Sequence, residues 1–174
     1  MDEAHVLVDS WTRAIELPSV AAAIREQHAI VAAEVARRKP LCLASGRCCH
    51  FESHGHRLYV TGLEAAWCVG SLRQRGGPPT TVEAVEAAKA RGDCPFLIDG
   101  RLCGAHIERP LGCRIYFCDR AGEGWQEALY EQTHEAMRAL HEDNGIAYRY
   151  GEWRAMLELV CGGHDVTSVP RSSP

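Results

Sequence analysis

Hydrophobic and polar positions recur at helical spacing through most of this chain, so the elements it predicts are mainly helices. The clearest helix covers residues 123–143 and ends at Asn144-Gly145. Its apolar positions fall on one face: Trp125, Leu129, Ala136 and Leu140. A last helix is predicted over residues 152–160, just before a pair of glycines.

The N-terminal residues 1–39 predict two helical pieces whose role is scaffold. Pro18 interrupts the apolar pattern, because proline lacks an N–H and clashes inside a helix. Ser19 is the predicted N-cap of the second piece. Basic residues followed by Pro40 mark its end.

Two capping-box patterns predict further helices in the middle of the chain. Thr61 followed by Glu64 opens one helix, and Thr80 followed by Glu83 opens another. The first helix ends in a glycine–proline run, and the second ends at Gly92.

Two short β-hairpins are predicted near the cysteines. The first lies within residues 41–60, with a turn at residues 53–56 and a strand at residues 57–60. The second is centred on Asp99-Gly100, a pair that favours a two-residue type I′ turn.

The register of the second hairpin decides where two cysteines point. A two-residue turn pairs Ile98 with Arg101, Leu97 with Leu102, and Phe96 with Cys103. Cys94 then shares a face with Cys103 at a diagonal backbone separation of about 7–8 Å. That separation is too long for an easy disulfide but suits two thiolates that meet across a metal.

These elements predict an α+β, mainly helical fold: a small single domain whose hairpins present the cysteines, with helices packed around them. Its length of 174 residues and hydrophobic content of 46% are enough for an ordinary core. The domain is expected over residues 1–166, with a cysteine region at 42–118 and helical extensions at 5–39 and 122–161. Residues 167–174 are expected to form a loose tail.

Charge and hydropathy argue against two classes of binding partner, nucleic acids and membranes. The net charge of -4 argues against nucleic-acid binding through a general basic field. No apolar run approaches the ~18 residues that cross a bilayer, and the start lacks the features of a signal peptide. A soluble cytoplasmic protein with no membrane contact is expected.

Nine cysteines carry the chemical information in the chain. Seven of them form two groups: Cys42, Cys48, Cys49, Cys94, Cys103, Cys113 and Cys118. This density indicates a disulfide framework, a metal or iron–sulfur site, or redox chemistry. The odd count and the size of the chain disfavour a disulfide framework, and the Cys-x-x-Cys redox motif is absent.

The number of clustered thiols exceeds one four-ligand site, so either two sites or one site with spare thiols is expected. Arg47, Arg109 and Arg114 flank the cysteines. Their charge would favour thiolates, although ordinary surface ion pairing explains them equally well.

The remaining cysteines and several histidines have plainer interpretations. Cys68 and Cys161 are expected to be packed thiols, and a ligand role for Cys161 is left open. His50 and His106 are the histidines best placed to complete a metal site. The others are expected at the surface: His54, His56, His134 and His141.

An ordered set of residues resembles the YkgJ-type cysteine-cluster family, the CxxCxxCC family described as a zinc- or iron-chelating domain. The matching positions are Cys48-Cys49, Val60-Thr61 with Glu64, Cys94-Pro-Phe-Leu, Cys103, and Arg109-Pro110 with Cys113-Arg114. The resemblance implies metal binding by Cys48, Cys49, Cys94, Cys103 and Cys113.

The chain departs from the family at three positions. Cys42 alone stands where the family opens with a Cys-x-x-Cys step. His106 replaces a tyrosine, and Cys118 occupies a place where an aromatic segment is more usual. Either of the last two would replace a missing ligand.

The sequence therefore predicts a metal-binding protein that holds either iron, as an ion or an iron–sulfur cluster, or zinc through clustered cysteine thiolates. Iron is preferred slightly over zinc, because thiolates outnumber histidines and exceed one zinc site. Two alternatives remain open. One is a cluster-dependent redox or protein-modifying enzyme, since the related cysteine domain also occurs in flagellin lysine methylases. The other is a thiol-redox or metal-stress sensor.

Overall fold

The structure is a computed structural model that describes residues 3–118 and 123–163. Most of this part of the chain is helical. The longer helices are α1 (Glu3–Glu16), α2 (Pro18–Arg38), α4 (Gly62–Arg75), α5 (Val82–Arg91), α7 (Glu123–Asp143) and α8 (Trp153–Gly162). Two short helices are α3 (Phe51–His54) and α6 (Leu111–Ile115), and a 3-10 turn covers Arg47–Cys49. The mainly helical α+β fold predicted from the sequence is confirmed.

Two antiparallel sheets of two strands each complete the described fold. Strand β1 (Tyr59–Thr61) pairs with β4 (Tyr150–Glu152), and β2 (Leu97–Ile98) pairs with β3 (Leu102–Cys103). The first sheet joins two distant parts of the chain, whereas the second is a local hairpin.

Helix α4 lies at the centre of the packing and contacts α1, α8 and β1. The apolar side of α4 is buried and includes Leu63, Val69 and Leu72. Trp11 from α1 and Trp153 from α8 are fully buried in the same core. Burial of large apolar side chains supplies most of the stability of such a core, at ~25 cal/mol per Å².

The predicted interruption at Pro18 is present, but the predicted cap is wrong. Leu17 is the N-cap of α2, with φ -73° and ψ 124°, and Pro18 occupies the first turn. Proline suits that position because its missing N–H needs no partner there. Ser19 therefore lies inside the helix and caps nothing.

The two capping boxes had different outcomes. Thr61 is the N-cap of α4 and forms the full box with Glu64, as predicted. The cap of α5 is Thr81 rather than Thr80. Thr80 instead accepts a hydrogen bond at 2.9 Å from Arg73 near the end of α4.

The first predicted hairpin is wrong. The expected turn at residues 53–56 is mostly the end of α3, which terminates at Gly55 with φ 64°. Phe51 anchors this short helix in the core. The following strand is present, but its partner is β4 near the C-terminal end of the described chain.

The second predicted hairpin exists with a different register. Leu97 pairs with Cys103 and Ile98 pairs with Leu102, so Arg101 stays in the loop. Asp99 and Gly100 both take positive φ values, 49° and 66°, as the turn signal predicted. One additional loop residue shifts all the predicted pairs.

None of the described helices combines the length and apolar character that spanning a bilayer requires. The predicted tail at residues 167–174 lies outside the described residues.

Candidate metal centre

Three chain segments bring four cysteines together. Cys48 and Cys49 lie in the 3-10 turn, Cys94 precedes β2, and Cys103 ends β3. The backbone N–H of Cys94 donates to the carbonyl of Cys49 at 2.7 Å. This bond fixes the turn that carries the adjacent pair against the start of the hairpin.

Gly46 allows the cysteine turn to approach the tip of the hairpin. Its φ is 74°, and a Cβ at this position would lie 2.6 Å from the carbonyl oxygen of Gly100. An L side chain is disfavoured on both grounds, because the backbone is left-handed and the space is filled. The carbonyl of Gly46 also accepts the N–H of Cys49 at 2.8 Å.

Cys49 is the centre of the thiol group. Its side chain contacts those of Cys103, Cys48 and Cys94, and these contacts together with burial raise its pKa. The contact with Cys49 is the main cause that lowers the pKa of Cys48 to about 6, and Arg109 and His56 act in the same direction. The pKa of Cys103 falls to about 7, again mainly through Cys49. Thiolate is therefore favoured at two positions on the rim of the group.

Cys113 is the fifth thiol of this region and lies on α6. Loss of water around its side chain is the main cause that raises its pKa, and negative charge at Cys94 and Cys103 adds to the rise. Cys68 on α4 is fully buried, and this burial raises its pKa. Charge at the same two cysteines, Cys94 and Cys103, raises it further. Its expected role as a packed thiol agrees with this burial, although it lies nearer the thiol group than the sequence indicated.

Two arginines follow the hairpin: Arg114 holds the loop before Cys113, and Arg109 supplies positive charge to the thiols. Arg114 donates to the carbonyl of Arg109 at 2.8 Å and to the carbonyl of Ile107. Arg109 lowers the pKa of both Cys48 and Cys103, and its Nε is buried without a hydrogen-bond partner. Positive charge thus faces the thiols, whereas Arg47 is exposed.

Cys42 and Cys118, the two outer members of the predicted ligand set, are exposed. Neither belongs to the thiols that contact Cys49. Their ligand roles stay predictions, as do those of the five cysteines that the structure brings together.

The histidines considered as ligands are engaged otherwise or lie at the surface. His50 bonds to the Asp93 carboxylate at 2.8 Å and to the Gly100 carbonyl at 3.0 Å, and these bonds raise its pKa. His106 is exposed. Cys161, whose ligand role was left open, is buried, and burial raises its pKa to about 11.

Two histidines that were expected at the surface are not there. His56 is half-buried, stacks on Tyr116 at 5.5 Å and donates to the carbonyl of Cys48 at 3.2 Å. His141 is buried, and its Nδ1 lies 3.1 Å from the carbonyl of Ala147. Helical spacing alone did not reveal either environment.

The described residues contain no group of three or more His, Cys, Asp or Glu side chains that is already arranged to hold a metal ion. The contacts of Cys49 join thiol to thiol, so a metal would have to displace protons and side chains would have to rotate. The donor chemistry nonetheless suits a soft metal, because thiolates select zinc and iron–sulfur clusters. The guanidinium of Arg109, whose buried Nε has no hydrogen-bond partner, fits the excess negative charge that such a site carries.

Sequence reasoning missed a cavity of about 350 Å³ that adjoins the thiols. Cys48 and Cys113 belong to its wall, together with tyrosines from separate elements. No local pattern marks such a cavity, because residues distant in sequence form its wall.

No protein-family model matches this chain, and neither the curated proteins nor the solved structures contain a significant match to it.

Proposed function

We propose that this protein binds iron, as an ion or an iron–sulfur cluster, through a thiolate site centred on Cys49. The observation that carries this proposal is the contact of the Cys49 thiol with those of Cys48, Cys94 and Cys103. Four thiolates are sufficient for one cluster or one tetrahedral ion. Cys113 is the candidate for a fifth or replacement ligand.

The surroundings of the thiols favour a site made of sulfur alone. Both ring nitrogens of His50 are occupied by hydrogen bonds, and the Nε2 of His56 is bound to the Cys48 carbonyl. Among the described residues, cysteine is therefore the main ligand type around Cys49. Iron–sulfur clusters use such all-cysteine sets, and their potentials depend on nearby charge and hydrogen bonds. Arg109 is the residue that supplies that charge here.

Zinc is the second candidate, because Cys49 and the three thiols that it contacts make four, which equals the ligand number of a structural zinc site. Zinc would stabilise the fold directly. Iron in a cluster would in addition supply electron transfer. The order of motifs supports membership of the YkgJ-type family as part of the same proposal.

A cytoplasmic location belongs to the proposal as well. All nine cysteines are free, and free clustered thiols persist in a reducing compartment.

The test is anaerobic purification followed by metal analysis, acid-labile sulfide determination and a visible spectrum on one sample. Stoichiometric iron with sulfide and a brown colour supports the cluster, and zinc at about one per chain in a colourless sample supports the second candidate. Cys49→Ser should lose the metal. Cys161→Ser is the matched control, because Cys161 is also buried but belongs to another part of the core. Absence of bound metal from protein refolded with iron and sulfide, and with zinc, would overturn the proposal.

A further inference from the structure

The thiols of Cys49 and Cys103 lie in contact although the two residues belong to separate segments, the 3-10 turn and the end of β3. The N–H of Cys94 donates to the carbonyl of Cys49 at 2.7 Å, which holds the turn against the start of the hairpin. The turn begins at Gly46, where a Cβ would lie only 2.6 Å from the carbonyl oxygen of Gly100 at the tip of the hairpin. Backbone contacts at both ends therefore keep the two sulfur atoms together.

Cys49 has three thiol neighbours, and their positions distinguish them as disulfide partners. Cys48 is exposed but adjacent in sequence, and a disulfide between adjacent cysteines closes a small ring that strains the peptide bond between them. Cys94 is buried, with 5% of its surface exposed, as is Cys49 itself. Cys103 is half-buried, so a small solute in water reaches it more readily than it reaches Cys94. The pair of Cys103 and Cys49 therefore joins an accessible thiol to a buried one.

We propose that Cys49 and Cys103 form a reversible disulfide when a hydroperoxide oxidises the metal-free protein. This disulfide and the metal site exclude one another, because both use the same two sulfur atoms; the exclusion rests on the proposed function, whereas the disulfide itself does not. Disulfides in the cytosol are generally transient and serve redox sensing or catalysis rather than scaffolding. The oxidation state of this pair therefore controls whether the domain accepts a metal.

The oxidation needs only the two thiols and the hydroperoxide. The Cys103 sulfur attacks one oxygen of the hydroperoxide, the O–O bond breaks, and the other oxygen leaves as an alcohol or water with the proton of that thiol. Cys103 then carries a sulfenic acid. The Cys49 sulfur attacks the Cys103 sulfur, the S–O bond breaks, and water leaves with the second proton as the disulfide forms. Two electrons pass from the sulfur pair to the hydroperoxide, and a dithiol reverses the reaction by exchange.

The test is treatment of the reduced, metal-free protein with equimolar hydrogen peroxide, followed by peptide mapping. Trypsin leaves Cys48 with Cys49 in one peptide and Cys103 with Cys113 in another, because it does not cleave before proline. Fragmentation of the linked peptides in the mass spectrometer then identifies the bonded sulfur atoms. We expect a link between Cys49 and Cys103, loss of two of the nine free thiols, and recovery of both with dithiothreitol.

Variants assign the reacting pair. Cys103→Ser and Cys49→Ser each remove one partner and should abolish the link that the wild-type protein forms. The matched control combines Cys42→Ser with Cys118→Ser, which removes two exposed thiols outside the group around Cys49 and should leave the yield of the link unchanged. Circular dichroism verifies that each variant is folded.

A second measurement tests the exclusion between disulfide and metal, with zinc as the probe. The oxidised protein should bind zinc more than about 100-fold more weakly than the reduced protein, since loss of outer partners alone costs about 10–100-fold in metal affinity. Protein loaded with zinc before peroxide is added should keep its thiols. Unchanged zinc affinity after oxidation would overturn the exclusion.

Two results of the mapping would overturn the disulfide: a link between any other pair of cysteines, or oxidation of Cys103 to a sulfinic acid without a link. The mapping uses metal-free protein and does not depend on metal binding. If the reduced protein binds neither zinc nor iron, the proposed function fails, whereas a mapped link between Cys49 and Cys103 still supports the redox pair.

Discussion

The carboxylate of Glu64 accepts the backbone N–H of Leu111 at 3.1 Å and so ties the start of α4 to the start of α6. The same carboxylate accepts the backbone N–H and the hydroxyl of Thr61, each at 2.9 Å. A capping box that normally serves one helix here positions a second helix, the one that carries Cys113. Burial raises the pKa of Glu64, and the bonds from Thr61 and Leu111 oppose that rise.

Glu64→Gln should therefore destabilise the protein and loosen α6. The amide oxygen of glutamine still accepts a hydrogen bond, but its NH₂ group faces a backbone N–H that the second carboxylate oxygen used to accept. Two donors that face each other at a buried site cost about 2 kcal/mol. Urea unfolding measures the loss. Glu83→Gln, in the first turn of α5 and exposed, is the control and should change stability by less than about 0.5 kcal/mol. Equal effects of the two substitutions would contradict the role assigned to Glu64.

Gly46→Ala should separate the cysteine turn from the hairpin. The added Cβ would meet the Gly100 carbonyl oxygen at 2.6 Å and the Arg101 Cα at 2.9 Å, both of them backbone atoms. Gly55→Ala is a matched control, because Gly55 also has a positive φ, 64°, but has open space around it. We expect a loss of about 1–2 kcal/mol for the control, from left-handed strain alone. The loss at Gly46 should be clearly larger.

The measurement for Gly46 combines unfolding with metal content after anaerobic purification. Reduced metal in Gly46→Ala with normal metal in Gly55→Ala is the expected pattern. A Gly46 variant as stable as the Gly55 variant would show that the approach to the hairpin is not tight.

Serine substitutions should divide the seven clustered cysteines into two classes. Cys113→Ser is expected to lose bound metal, because charge at Cys94 and Cys103 influences the pKa of this buried thiol and so places it in the same group. Cys42→Ser and Cys118→Ser should keep it, since both thiols are exposed and outside the group around Cys49. Metal analysis of the three purified variants is sufficient. Loss of metal from Cys42→Ser would restore the ligand set first predicted from the sequence.

His28 should make stability depend on pH. Burial, followed by the charge of Arg114, lowers its pKa from 6.5 to about 4, so the folded state favours the neutral ring. The unfolded chain binds the proton more readily, and the stability that His28 contributes is present above pH 6.5 and is lost as the pH falls towards 4. His28→Gln should flatten the stability profile in that window. Thermal unfolding at a series of pH values tests this, with the exposed His5 changed to Gln as the control.

Local signals in the sequence predicted local structure well. The capping box at Thr61 is present because its partner stands three residues away, and the distant bond from Leu111 uses the other oxygen of the Glu64 carboxylate. The helix at Glu123–Asp143 follows from apolar periodicity alone. For α5, two adjacent threonines could serve as the N-cap, and the prediction of Thr80 was wrong. The hydroxyl of Thr80 accepts a hydrogen bond from Arg73 instead.

The predictions for the two hairpins were wrong in pairing or register, because contacts between residues distant in sequence decide them. The strand at Tyr59–Thr61 was assigned to a local hairpin, whereas its partner lies near residue 150. The register of the hairpin at Asp99-Gly100 differs from the prediction by one residue, yet Cys94 and Cys103 both contact Cys49, which lies on a third segment. The grouping of thiols was thus predictable from their density along the chain. The geometry that brings them together was not.

The pairing of β1 with β4 also has a consequence for synthesis of the chain. Residues 48–113 leave the ribosome before Tyr150 does, so all five neighbouring thiols exist as nascent chain before the second strand of that sheet. The part of the cavity wall that Tyr59 and Tyr150 form is therefore completed last. Because chains emerge at about 5–20 residues per second, this interval lasts seconds. If the protein binds metal as proposed, this interval lets the metal reach the thiols from the side where the cavity wall is still incomplete.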